Sequence, residues 1–175
     1  MKRIVRQCVF ESNSSSTHAI CICTDKWYLD YEIPETLYFG IGEHGWEFKT
    51  LSTPEEKANY LYTGILYKYG KIEGQKYIDK IFKMLGDKGC EAEFEEPEWR
   101  DWGNGEFHLY NGYVDHVGEL EEFINALFKR SHMLLDYLFS DKSFVIKGND
   151  NSSDDERRAL DFKVDYDYEE FYKGN

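Results

Sequence analysis

Apolar residues recur along this chain on two periods, and the change from one to the other marks its elements. Over 3–10 and 18–24 they fall close to every second position, with Ile20 and Ile22 on one face. That pattern predicts an N-terminal β-hairpin closed by the polar loop 11–17. Short strands are predicted at 36–39 and 46–49, on either side of the glycine-rich turn 40–45. The period then lengthens. Thr53 can cap a helix, Pro54 suits its first position, and Glu55 and Glu56 favour the positive end of its dipole. Ala58, Leu61, Tyr62, Ile65, Leu66 and Tyr69 follow at helical spacing until Gly70 stops the run. A second helix starts near Glu73 and carries Tyr77, Ile78, Ile81, Phe82 and Leu85 ahead of Gly86. A third starts near Gly118, uses Leu120, Phe123, Ile124, Leu127 and Phe128, and continues past a bend at Ser131 and His132 into Leu134, Leu135 and Leu138.

Alternation returns at Cys90, Ala92 and Phe94, where the intervening glutamates mark an acidic edge strand. It recurs at 107–114, interrupted by Asn111 and Gly112, and at 143–147 and 160–166. Strands at both ends with helices between them predict one α+β domain spanning 1–175. It would have a mostly antiparallel sheet, the N-terminal hairpin, and three to four helices between the terminal strands. No linker or internal repeat divides the pattern.

Charge changes this picture of an ordinary small domain. The net charge is −13, and two short stretches carry −12 of it. Residues 91–106 hold seven acids against Arg100, and residues 150–170 hold nine against Arg157, Arg158 and Lys163. Both stretches interleave aromatics: Phe94, Trp99 and Trp102 in the first, Phe162, Tyr166, Tyr168, Phe171 and Tyr172 in or beside the second. Carboxylates grouped with flat rings can imitate the spaced charges and bases of nucleic acid. A basic, phosphate-binding groove would be a matching partner, with long-range attraction speeding association. The competing reading is a solvated surface that aids solubility. On the first reading the contact residues are Glu93, Glu95, Glu96, Glu98, Trp99, Asp101 and Trp102, with Asp154, Asp155, Glu156, Asp165 and Asp167.

Composition narrows the remaining classes. A hydrophobic share of 41% and an aromatic share of 17% exclude a disordered chain. The acidity, with a pI near 4.8, argues against direct binding to nucleic acid or an anionic membrane. No apolar run approaches the roughly 20 residues of a membrane helix, and the N-terminus lacks a signal-peptide core. Cys8, Cys21, Cys23 and Cys90 have neither redox nor zinc spacing and read as reduced thiols of a cytoplasmic protein. No metal and no cofactor is expected. His18, His44, His108, His116 and His132 form no zinc motif, and Asp150, Ser152, Asp154 and Asp161 lack the turn glycine of a calcium loop, Asp155 standing in its place.

One local string stands apart. Asn13, Ser14, Ser15, Ser16, Thr17 and His18 place hydroxyl, amide and imidazole groups in one short loop. Such a loop can cradle a phosphate or other oxyanion, can offer a serine beside a base, or can satisfy its own backbone as a turn. No nucleophile elbow or orienting acid accompanies it. The string VFESNSSSTHAI resembles the N-terminal signature of a largely uncharacterised family of small proteins from Firmicutes and their phages, with a weaker echo at 144–151. The same resemblance extends to broad-range inhibitors of type II CRISPR nucleases. It implies a phage-type accessory protein in the host cytoplasm that binds and inhibits a nucleic-acid-handling defence protein. It supplies no catalytic residue. The alternatives are an oxyanion- or nucleotide-binding protein or enzyme using 12–18, and an assembly protein whose aromatics make a homodimer.

Overall fold

A computed structural model describes residues 16–23, 32–45, 47–103, 105–115, 120–130, 132–149 and 168–173. The protein is an α+β fold. Its main sheet has four antiparallel strands in the order β10 (Tyr168–Lys173), β1 (Ser16–Cys23), β9 (Phe144–Asn149), β4 (Lys49–Leu51). Segments from both ends of the chain therefore share one sheet. Both edges of β1 are taken over Ala19–Cys21, by β9 and by β10. The hairpin partner expected at 3–10, like the segment 160–166, lies outside the described residues. Ser16 and Thr17 belong to β1, opposite Asn149 and Gly148, and not to the loop before it.

Helix α1 (Pro54–Gly86) begins with the cap its sequence promises. Thr53 Oγ1 accepts from the Glu56 amide at 3.2 Å, and Glu56 Oε2 accepts from the Thr53 amide at 3.3 Å. Gly70 breaks it into two arms with φ 65° and ψ −169°, a region open only to glycine. The break is sharp enough that Gly74 packs against Ile65 and Leu66 of the first arm. The first arm buries Ala58, Leu61, Tyr62, Ile65 and Leu66, and the second buries Ile81 and Leu85. Helix α2 (Leu120–Lys129) contributes Phe123, Ile124 and Leu127 to the same core, and α3 (Met133–Phe139) contributes Met133, Leu134, Tyr137 and Leu138. Lys57, fully buried on α1, ties these layers together by donating to the carbonyls of Ser140 at 2.8 Å and Ser143 at 3.0 Å.

Two small ladders depart from the antiparallel expectation. Strand β2 (Thr36–Phe39) runs parallel to β5 (Glu91–Phe94), and β3 (Glu43–His44) runs parallel to β8 (Tyr113–Val114). A parallel pair needs a long crossover, and α1 supplies it between β2 and β5. Leu37, Phe39 and Ala92 are buried while Thr36, Tyr38, Glu91 and Glu93 face outward. This is the alternation of a half-covered sheet.

Candidate functional site

The first acidic stretch folds into β5, a short connection, and the hairpin β6 (Trp99–Asp101) with β7 (Phe107–Leu109). Asp101 builds the turn. Its Oδ1 accepts from the amides of Gly103 at 2.7 Å and Gly105 at 3.1 Å, and both glycines have positive φ. Trp99 and Leu109, opposite one another, are half-buried against the core. The reverse face carries Arg100, Trp102, His108 and Tyr110. The Arg100 guanidinium lies 3.1 Å from the centre of the Tyr110 ring, and the Trp102 and His108 rings are 5.2 Å apart. Trp102 is 74% exposed, Phe107 61% and Tyr110 50%, so three large rings project from one small hairpin.

The carboxylates of the stretch divide into two groups. Glu95 turns inward: its Oε2 accepts from the Ile41 amide at 2.8 Å, its Oε1 from Asn111 Nδ2 at 3.4 Å, and its carbonyl from Tyr62 Oη at 2.8 Å. Burial, and then Glu96 and Glu95, push the Tyr62 hydroxyl up to about 12, which keeps it a donor. Glu95 and Asp101 are thus structural residues, and Trp99 is a packing residue. Glu91, Glu93, Glu96 and Glu98 are exposed and in no ion pair among the described residues. The structure brings Glu93, Glu96, Glu98 and Trp102 onto the surface of one short segment. Asp154, Asp155, Glu156, Asp165 and Asp167 lie outside the described residues, as do Asn13, Ser14 and Ser15.

Asn111 fixes the base of the hairpin by accepting from the Glu98 amide at 3.0 Å, and Tyr110 donates its amide to the Glu98 carbonyl at 2.8 Å. Gly112, next along, has no room for a side chain. A β-carbon there would collide with Ile41 Cγ2 and lie 2.9 Å from the Gly42 carbonyl oxygen, which is fixed backbone. Gly112→Ala is expected to lower stability by about 1–3 kcal/mol through overpacking. Urea unfolding measures it, and a midpoint equal to that of the parent would show that the close approach is not real.

His18 is not a loop residue. It is wholly buried, and its Nδ1 lies 2.9 Å from Tyr60 Oη. His44 packs edge-on to the same Tyr60 ring at 5.1 Å. Lys147, opposite His18 on β9, is also buried and donates to the Glu43 carbonyl at 3.2 Å. One signal in the sequence pointed to His18: it sits two residues before Ile20 and four before Ile22, hence on their buried face. His44, Tyr60 and Lys147 carried no such signal. Among the described residues, no group of three or more His, Cys, Asp or Glu is placed to hold a metal ion. Nor is any helix among them long and apolar enough to cross a membrane. No family model, no curated protein and no solved structure matches the chain.

Proposed function

We propose that this protein is a binding protein that occupies the basic, nucleic-acid-handling surface of another protein, with segment 91–110 as a contact surface. The observation that carries this reading is the β6–β7 hairpin, whose three exposed rings sit in the same segment as the exposed carboxylates Glu93, Glu96 and Glu98. Large exposed rings are the usual anchors of protein interfaces. These exposed carboxylates suit a lysine- and arginine-rich groove. The arrangement differs from a uniform wall of acids, because Arg100 and His108 lie among the rings. Stacking on the partner and charge attraction would then act together.

The particular form suggested by the N-terminal resemblance is a phage-type inhibitor of a host defence nuclease in the host cytoplasm, such as a type II CRISPR effector. Direct titration tests this. The protein is expected to bind such a nuclease, excess duplex DNA is expected to compete with it, and Trp102→Ala should weaken binding by about 2 kcal/mol, roughly thirtyfold. Because Trp102 is mostly exposed, the same variant should unfold at the parent's denaturant midpoint. Absence of binding, or binding that DNA does not compete, would overturn this form of the proposal.

A further inference from the structure

The core-facing side of the main sheet changes character along its strands. Ile20, Val145 and Leu51 lie side by side across β1, β9 and β4 and are buried. One step along, the row reads His18, Lys147, Lys49. Two lysines directly opposite one another on neighbouring strands repel, and the buried His18 completes the row beside them. This row lies in a protein whose net charge is −13, so it is not the product of general basicity.

His44 joins the row from β3. It is buried, and among the described residues only the Asn59 backbone approaches its ring as a hydrogen-bond partner, which leaves at least one ring nitrogen without one. A buried polar group without a partner costs stability, and persists where something else satisfies it. Burial, then Lys147 and Lys49, hold the His44 imidazole far below its usual range, at about 3, although the Asn59 backbone opposes the shift. Burial and Lys49 also depress Lys147, while Glu47 and Glu43 oppose that shift. The charged neighbours that act on His44 are thus Lys147 and Lys49, while the carboxylates Glu47 and Glu43 act on Lys147. Lys49 itself is half-exposed and pairs with Glu56 at 2.8 Å. His18, Tyr60, His44 and Lys147 are all buried, so Lys49 is the member of the cluster that reaches the surface.

We propose that His18, His44, Lys147 and the Tyr60 hydroxyl, with Lys49 at the rim, form a binding site for a small tetrahedral oxyanion, either free phosphate or the phosphate group of a monoester. Such a ligand accepts several hydrogen bonds from converging donors and cancels the repulsion within the row. It also supplies the orphaned His44 nitrogen with a partner, since imidazole in contact with an anion takes a proton and donates. Anion binding is then coupled to uptake of a proton. This site is independent of the hairpin surface, and neither reading depends on the other.

Thermal unfolding in sulfate and in phosphate, each against chloride at equal ionic strength, tests the site. Sulfate keeps its charge across neutral pH, so any pH dependence belongs to the protein. Affinity for sulfate is expected to rise about tenfold per unit as pH falls below neutrality, the signature of one coupled proton. His44→Phe and Lys147→Met should each remove the difference between sulfate and chloride. His44→Phe keeps a planar ring, somewhat larger than imidazole, without its nitrogens, and is expected to remain folded in chloride. A response equal in the parent and both variants would be the general salting effect of sulfate and would overturn the site. Imidazole NMR signals of the unsubstituted protein provide a check that needs no variant. They should move on adding sulfate at constant pH, and unmoved signals would overturn the site as well. Adenosine 5′-monophosphate distinguishes the source: a response to it, as well as to phosphate, assigns the monoester, and a response to phosphate alone assigns the free ion.

Discussion

Lysine at Glu93, Glu96 and Glu98 together is expected to weaken binding to a basic partner by roughly a hundredfold at physiological salt, and to flatten the dependence of binding on salt. The three side chains are exposed and in no ion pair among the described residues, so their replacement leaves the buried core untouched. Each reversal removes one attraction and adds one repulsion. Exposed pairs are worth about 0.5 kcal/mol, so three reversals sum to about 3 kcal/mol. That is close to two decades in dissociation constant. Charges on a surface are screened over about 8 Å at physiological ionic strength, so the loss should be larger in dilute salt. A control with equal total charge separates local contact from long-range steering. Glu73→Lys, Asp79→Lys and Asp87→Lys make the same change on the second arm of α1 and at its end. This control is expected to slow association modestly and to leave dissociation alone. Equal losses in both triple variants would mean that only net charge matters, and the hairpin would then not be the contact surface.

The choice of these three acids shows where sequence was sufficient and where it was not. Glu95 stands in the same run of glutamates, and nothing local distinguishes it from Glu96. Only the approach of the Ile41 amide and Asn111, 54 and 16 residues away, makes it a structural residue. Local signals were enough for elements whose cause is local. Thr53, Pro54 and Glu56 specify the start of α1, and Gly70 interrupts it with a backbone angle that only glycine adopts. The alternation of Ala92 and Phe94 placed β5 and its outward glutamates. Pairing was not legible, because an alternating segment fits a parallel neighbour as well as an antiparallel one, and β2–β5 is parallel. The basic row has the same cause. His18, Lys49 and Lys147 come from three strands far apart in sequence, and each alone is an ordinary residue.

The row also makes stability depend on pH in a way that one substitution can remove. Folded His44 takes a proton only near pH 3, against 6.5 for a free imidazole. As pH falls below 6.5 the unfolded chain binds that proton and the folded chain does not, so protonation favours unfolding. The contribution of His44 to stability is therefore intact above pH 6.5 and is lost progressively down to about pH 3. The slope is about 1.4 kcal/mol per pH unit through that window, or about 3 kcal/mol over two units. His44→Phe should abolish this slope, while carboxylate titration continues in both proteins at the lower end. It should also raise stability at neutral pH by about 1 kcal/mol, because a buried ring nitrogen without a partner is replaced by carbon. Urea unfolding in chloride at a series of pH values measures both effects, and parallel stability curves for the parent and His44→Phe would refute the burial of a neutral imidazole. In saturating sulfate the parent's curve should flatten towards that of the variant, because an anion beside His44 restores the folded protein's affinity for the proton. The pH dependence and the proposed anion site are thus two consequences of one arrangement, in which a neutral imidazole is buried beside two lysines in an acidic protein.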